Sequence, residues 1–471
     1  MSGIIAYGAY VPYHRLDRAA IGQMLGGGGG RGTRAVASYD EDSTSMGAEA
    51  ARAALATAPA GVEPRSLYFA TAEPAYLDKT NATAIHAALG LPPTVFAVDM
   101  VGAVRSGAGA LKAAIDAPEP TLAVLSDIRT GLPGGGDETA GGDAAVAFLC
   151  GGDDRQVIAE YIGGASMTAE FLERWRVPGE AASHVWEERF GEYVYVPLAR
   201  EALGAGLRDA ELKAEDLDHL IVTGLHARAV RGVIAGSGAR KEAIVDDLSA
   251  VLGNAGTAQP GLMLADVLDR AKPGQLIAVL LLADGATLML LRTTAAIASY
   301  RPKQTVQELI KLGKPGLSYA SFLTWRNMLQ REPPRRPDPE RPAAPPSFRA
   351  DAWKFGFSAS RCESCGTRHL PPQRVCVSCQ AVDKMALERV ADTPGTVATF
   401  TIDRLAYSPS PPLVGAVVDF DGGGRIQCEM TDVDPDSVKI GDRVEMTFRR
   451  LYTAANVHNY FWKARPIRRV E

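Results

Sequence analysis

The chain has 471 residues, 46% of them hydrophobic and 22% charged, with a formal net charge of −5. That length exceeds one ordinary domain, so two to four units with ample core material are expected. The mild acidity excludes a global basic field that would draw the protein to nucleic acid or to an anionic membrane.

Other whole-chain features point the same way. The N-terminus, MSGIIAYGAYVPYHRLD, has no cationic leader region, and its apolar stretch is too short for a signal peptide. No run approaches the roughly 18 apolar residues of a membrane span. Six cysteines in so long a chain do not make a disulfide framework. We therefore expect a cytoplasmic protein with no nucleic-acid and no membrane partner.

In chain order, the first strand-like run is SLYFATAE (66–73). TVFAVDMV (94–101) follows and leads into a helix start rich in small residues, GAVRSGAGALKAAI. Then come TLAVLSD (121–127) and GGDAAVAFL (141–149). The same order returns later. DHLIVTGLH (218–226) is a strand, residues 244–268 carry a glycine-rich turn into a helix, and 275–292 read as two strands around a DG turn. Buried apolar runs alternating with helices indicate α/β layers. Two similar halves suggest a pseudo-dyad fold with two central sheets. The glycine runs 26–32 and 131–143 read as mobile loops, because neither shows the strand-and-lysine context of a phosphate cradle.

Residues 317–332 show the apolar spacing of one amphipathic helix, at Tyr319, Phe322, Leu323 and Trp325. It packs on its own domain or docks a partner; the spacing alone favours neither. The proline- and arginine-rich stretch 331–347 then reads as a semi-rigid extended linker. It separates residues 1–300 from a C-terminal module. The expected division is a first domain over 1–300, a helix and linker over 301–350, a zinc ribbon over 351–390 and an all-β barrel over 391–471.

Cys362, Cys365, Cys376 and Cys379 form C-x2-C-x10-C-x2-C. Two such knuckles deliver four thiolates to one ion, and a closed set of four leaves no open position, so a structural Zn2+ is expected. Cys150 and Cys428 lie in strand-like runs and read as core residues. After the ribbon come β-branched and aromatic runs at 395–407, 413–433, 439–452 and 458–468, with DGGG as a hairpin signal. A small antiparallel barrel of OB type fits them.

Several stretches carry a resemblance: GIIAYGAYVP, YDEDSTSMGAEAARAAL, ATAEPAYLDKTNATAIHAALGL, VLSDI, GGDAAVAFL, WEERFGEYVYVPLAREAL and LGNAGTA. With them, residues 1–300 resemble the 3-hydroxy-3-methylglutaryl-CoA (HMG-CoA) synthase and ketoacyl-ACP synthase III branch of the thiolase superfamily. The resemblance implies an α/β duplicated thiolase fold, layered α-β-α-β-α, that dimerises through its sheets. Residues 317–471 resemble the rubredoxin-type zinc-ribbon and OB-fold proteins that accompany thiolases, HMG-CoA synthases and acyl-CoA aldolases.

The family's cysteine nucleophile opens a buried helix within a D-x-x-x-A-C pattern. A helix N-terminus favours the thiolate that attacks the thioester. Here the matching stretch is Asp99-Met100-Val101-Gly102-Ala103-Val104, so Val104 stands in the nucleophile's place. Neither Arg105 nor Ser106 restores the role. The resemblance further implies that Glu73 is the general acid/base, and that His226 and Asn254 hold the thioester oxygen. Tyr76 and His86, nearby in sequence, receive no role.

An acyl-CoA or acyl-carrier thioester is the implied substrate; the residues that bind its carrier are unknown. Without a covalent acyl-enzyme, the expected chemistry is aldol or retro-aldol cleavage of a β-hydroxyacyl-CoA. The alternatives are a cysteine-less scaffolding or channelling subunit beside a thiolase partner, malonyl-type decarboxylation, and condensation or acyl transfer by direct attack. A homodimer is the implied assembly.

Overall fold

The computed structural model describes residues 2–152, 157–335, 337 and 339–470. The first half comprises β1 (Gly3–Tyr10), β2 (His14–Asp17), α1 (Arg18–Leu25), β3 (Thr33–Val36), α2 (Ser43–Leu55), β4 (Ser66–Thr71), α3 (Ala82–Leu89), β5 (Phe96–Val101), α4 (Arg105–Asp116), β6 (Thr121–Ile128), α5 (Gly136–Ala140) and β7 (Asp143–Gly151). The second comprises β8 (Ala159–Thr168), a short flap of β9 (Arg174–Trp175) and β10 (His184–Val185), α6 (Glu188–Asp209), β11 (His219–Gly224), α7 (Ala227–Ala235), α8 (Gln259–Leu268), β12 (Leu276–Leu282) and β13 (Gly285–Thr293).

The two halves repeat one topology. In the first, β4 runs parallel to β5 and β6, and β6–β7 and β7–β1 are antiparallel. In the second, β11 runs parallel to β12, and β12–β13 and β13–β8 are antiparallel. A parallel bridge between Leu220 and Ile244 marks where a counterpart of β5 would lie. The expected two sheets are joined into one of nine strands, ordered β11-β12-β13-β8-β1-β7-β6-β4-β5. The junction is short, Gly3 with Glu160 and Ile4 with Ala159. A β-carbon at Gly3 would lie 2.2 Å from the Ala159 carbonyl oxygen, so only glycine lets the halves meet.

The buried helices show why the sequence favours small residues there. α2 starts with a capping box in which Asp42 and Ser45 each accept the other's backbone N–H. Its residues Ser43–Ala51 are all buried, because the sheet covers one face and the barrel described below covers another. α8 is buried along its whole length. A helix covered all round needs no polar face.

The C-terminal third begins with α9 (Val306–Lys311) and α10 (Tyr319–Trp325). The helix expected over 317–332 is thus shorter. Tyr319, Phe322, Leu323 and Trp325 bury against Leu16, Ile21 and Val36, so this element packs on its own domain. Arg336 and Asp338 of the linker lie outside the described residues. The linker does not stay extended: its last prolines enter α11 (Ala344–Arg349), where proline suits a first turn, and α12 (Asp351–Lys354) follows. The ribbon is β14 (Ser358–Cys362), β15 (Arg368–His369) and β16 (Met385–Arg389). β17 (Gly395–Asp403), β18 (Leu413–Phe420), β19 (Arg425–Met430), β20 (Arg443–Ala454) and β21 (Val457–Pro466) close a barrel in the order β17-β18-β19-β21-β20.

This module is not held at arm's length. One apolar cluster runs from Met46, Ala50 and Phe69 of the α/β part to Phe357, Val397, Phe448 and Trp462 of the ribbon and barrel. Beside it, the buried Arg449 guanidinium lies 2.8 Å from Glu41, 2.6 Å from Asp432 and 2.9 Å from the Tyr10 hydroxyl. Lys463 pairs with Asp40 at 2.9 Å and Glu429 at 2.8 Å, and Tyr460 donates to Asp42 at 2.7 Å. The acidic run Asp40–Asp42 at the start of α2 is therefore the dock for the barrel's cations. Among the described residues, no helix is long and apolar enough to cross a membrane.

Candidate active site and zinc ribbon

The C-terminal ends of β4, β5, β6, β11 and β12 converge on a pocket of about 110 Å³. Such ends are where α/β sheets present ligands to loop residues. Ala72, Gly102, Ala103, Val104, Arg129, Leu225, His226 and Asp284 come from these ends; Glu173, Arg174, Trp175 and Arg176 come from the flap, and Tyr195 from α6. A second cleft, of about 540 Å³, is lined by Arg18, Asp137, Arg231, Asp247 and Asn254. Arg129 and Leu225 line both, so the two spaces adjoin there.

Val104 sits immediately before α4 with helical backbone angles, at the pocket wall. His226 immediately precedes α7 and is 7% exposed. Its Nδ1 accepts the Ala229 N–H at 3.1 Å, so the neutral ring carries its proton on Nε2. Val104 and His226 thus share one pocket. Asn254 lines the adjoining cleft. Its Nδ2 donates to the Gly224 carbonyl at 3.0 Å and its Oδ1 accepts from Gly256 at 2.9 Å, which ties it to the strand end that carries His226.

Glu73 is placed differently from the expectation. Its neighbour Ala72 lines the pocket, but the Glu73 carboxylate turns to Arg176 at 2.5 Å and is part-exposed. The same arginine donates to the Ala72 carbonyl at 2.7 Å. The carboxylate that stands by the histidine is instead Glu173, only 5% exposed, with both side chains packed against Gly191 of α6. Burial pushes the Glu173 carboxyl above the usual carboxylate range, against the pull of Arg174 and His226. Sequence reasoning missed Glu173, which lies in a flap with no periodic signal. It also missed Arg129, which follows β6 directly, much as Glu73 and His226 lie two residues past the ends of β4 and β11.

Among the described residues, no cysteine lines either space. Cys150 is buried in β7, where burial raises its thiol pKa well above the ordinary value. Cys428 lies in the barrel, with its thiol pushed up to about 12, burial being the main cause.

The glycine run 131–143 is built rather than loose. It contains α5, and a β-carbon at Gly142 would lie 2.0 Å from the Leu252 carbonyl oxygen. Glu138 within it is fully buried and accepts the Tyr319 hydroxyl at 2.9 Å.

In the ribbon, the sulfurs of Cys362, Cys365, Cys376 and Cys379 all lie within 4.8 Å of one another. Two of the separations are 3.6 Å (Cys362–Cys379) and 3.5 Å (Cys365–Cys376). A tetrahedral site with bonds of about 2.3 Å sets its sulfurs about 3.8 Å apart, so the four residues fit a structural zinc ion.

Known proteins match both parts of the chain. A family model described as the ChsH2 rubredoxin-like zinc ribbon domain matches residues 356–385, and one described as the ChsH2 C-terminal OB-fold domain matches residues 388–449. The chain is 30% identical over 294 residues to hydroxymethylglutaryl-CoA synthase of Pyrococcus furiosus, covering 60% of this chain and 83% of that one. It is 30% identical over 300 residues to the Aeropyrum pernix enzyme of the same name, covering 60% and 82%. Among solved structures, HMG-CoA synthase complexed with CoA aligns with a TM-score of 0.60 at 16% identity, over 68% of this chain and 89% of the other. The 3-oxoacyl-(acyl carrier protein) synthase III of Pseudomonas aeruginosa aligns with a TM-score of 0.55 at 20% identity, over 62% and 98%. The duplicated sheet is thus the thiolase fold, followed by a zinc ribbon and an OB-fold barrel, and the chain belongs to the hydroxymethylglutaryl-CoA synthase family.

Proposed function

We propose that the chain carries out non-covalent carbon–carbon bond chemistry on an acyl-CoA thioester, as aldol addition or retro-aldol cleavage of a β-hydroxyacyl-CoA. The observation that carries this reading is Val104 at the start of α4, lining the His226 pocket, in a site where no described residue supplies a thiol. A family built for thioesters is kept, while the residue that would bond to the acyl carbon is an alkyl group. The larger cleft, with Arg18 and Arg231 on its walls, takes the CoA arm, and the smaller pocket takes the acyl group.

In the cleavage direction a carboxylate accepts the β-hydroxyl proton. The Cα–Cβ bond breaks as the β-carbonyl forms, and the bonding pair passes to the thioester as an enolate. The enolate is then protonated at Cα, which returns the proton and releases an acyl-CoA and an aldehyde or ketone. His226 Nε2–H and Asn254 Nδ2–H donate to the thioester oxygen. Glu73 remains a proton carrier in this scheme only if it leaves Arg176. Glu173, already against the histidine and raised by burial, needs no such rearrangement.

The test is aldehyde or ketone release from a panel of β-hydroxyacyl-CoA thioesters. Cleavage should survive Val104→Ala and fall about 100-fold or more in Glu173→Gln. An acyl group found on the protein by mass spectrometry, or loss of turnover in Val104→Ala, sinks the proposal.

A second reading, a scaffolding or channelling subunit, draws on a different observation. Leu172, Val177, Val185, Trp186 and Tyr193 are all exposed around the flap. Absence of turnover alone, with turnover on adding a cysteine-bearing thiolase that co-purifies, would favour it.

A further inference from the structure

Arg129 is a cationic residue of the site that the scheme above leaves unused. It is 8% exposed and stands where the two spaces meet. The other pocket arginines are taken: Arg174 pairs with Asp137 at 2.6 Å and Arg176 with Glu73 at 2.5 Å. Among the described residues, no hydrogen bond or close ion pair engages the Arg129 guanidinium. It acts electrostatically on Asp127, whose own carboxylate is bonded to the Ala72 and Thr257 N–H groups at 3.3 and 3.0 Å. The Arg129 N–H groups open into the pocket, where a ligand oxygen can accept from them.

Its position is fixed from behind. The Arg129 N–H donates to Asp143 at 3.0 Å, and its carbonyl accepts from Arg34 at 2.7 Å. Arg34 and Asp143 are themselves fully buried. Its side chain then passes Gly256, where a β-carbon would lie 2.8 Å from the arginine Cδ and 2.4 Å from an Asp127 oxygen. Glycine at 256 is therefore what lets the guanidinium run beside the Asn254 loop to the junction.

A ligand with its CoA arm in one space and its acyl group in the other places its thioester at that junction. We propose that Arg129 is a catalytic residue whose guanidinium holds the thioester oxygen and stabilises the negative charge that collects there as the enolate forms. This deepens the aldol reading and rests on it. A cation at this oxygen adds a full charge to the hydrogen bonds from His226 and Asn254. No bond to Arg129 is made or broken; the electron pair moves from the Cα–Cβ bond to the oxygen and back to Cα–H.

Two measurements on the full-length chain test it. The first is hydrogen–deuterium exchange at Cα of butyryl-CoA in D2O, which reports enolate formation without an aldehyde partner. The second is the affinity for a CoA analogue with the sulfur replaced by methylene and the acyl group by a carboxylate, compared with its neutral carboxamide twin. The carboxylate copies the planar, anionic enolate.

Wild type should exchange the proton and bind the carboxylate about 30-fold or more tightly than the amide. Arg129→Gln should slow exchange about 100-fold and erase the preference, with butyryl-CoA affinity nearly unchanged. Arg129→Lys should recover part of both, which a merely structural role would not predict. If Arg129→Gln exchanges at the wild-type rate or keeps the preference, the role of Arg129 is overturned and the aldol reading stands. If Arg129→Gln weakens succinyl-CoA binding but leaves butyryl-CoA exchange intact, the cation reads a carboxylate on the acyl chain and the proposal fails. If wild type shows the Arg129-dependent preference but no exchange, it is the aldol reading that falls, and the catalytic role with it.

Discussion

Gly191 gives up its side chain to His226: a β-carbon there would lie 2.6 Å from the imidazole Cδ2 and 2.7 Å from Nε2. The same carbon would lie 2.9 Å from Cγ of Glu173. A glycine inside a helix costs about 1 kcal/mol relative to alanine, so its presence within α6 needs a reason, and the histidine supplies one. Gly191→Ala should leave the protein folded, because the propensity gain offsets part of the clash. Turnover should nevertheless fall at least tenfold as the ring is displaced. Wild-type turnover in that variant would show that His226 does not work from this position.

Val104→Cys puts a thiol at the start of α4, where a helix N-terminus lowers a cysteine pKa. It should react with iodoacetamide well before Cys150 or Cys428, whose thiols burial has pushed up. With acetyl-CoA it should give an acetylated protein by mass spectrometry. A new cysteine as inert as the two buried ones would show that this position does not face the thioester space.

Glu445 of the barrel accepts from Arg465 at 2.9 Å and Lys303 at 3.2 Å. Burial raises its carboxyl, but Arg465, Lys303 and Arg52 outweigh burial and hold it at about 2, below the ordinary glutamate value of 4.5. The folded pKa is depressed, so its stabilisation is full above pH 4.5 and is lost as pH falls toward 2. Glu445→Gln should cost about 2 kcal/mol at neutral pH in urea unfolding, allowing for partial exposure. The gap to wild type should shrink steadily below pH 4.5. A gap that does not change with pH would mean the ion pairs contribute nothing.

Metal analysis should find about one zinc per chain, and Cys365→Ser should lose it. Melting temperature should fall while far-ultraviolet circular dichroism of the α/β part is kept. The ribbon meets that part through few polar contacts, such as Arg389 donating to the Ala88 carbonyl at 2.9 Å. A metal-free protein with disulfides among these cysteines would contradict the assignment.

What could be read before folding was whatever repeats locally. β4, β5, β11 and β12 lie within the apolar runs expected for them, β6, β7 and β13 overrun theirs by one or two residues, and β1 and β8 had no run assigned. The Asp284–Gly285 turn has the positive φ angles that its DG pair suggests. The four ribbon cysteines declare themselves by spacing. Glu173 could not be read, because its partner His226 is 53 residues away and nothing in the flap is periodic. The acidic run Asp40–Asp42 was quoted only as a likeness. That it receives Arg449 and Lys463 from the far end of the chain is a long-range pairing of charges, which leaves no pattern in either segment. Arg129 was legible in principle, since it follows a parallel strand as Glu73 and His226 do.

The cluster that runs from Met46 to Trp462, with Arg449 seated among Asp40, Glu41 and Asp432, makes the proline-rich tether dispensable as a fastener. Nick the backbone there and the two pieces should stay together, each presenting raw apolar surface and unmatched ions if pulled from the other. Leaving a carboxylate buried without its cation costs about 3–5 kcal/mol, so neither piece is expected to make a well-behaved protein by itself. Covalent fusion here secures equal amounts of two halves that could not afford to be made apart.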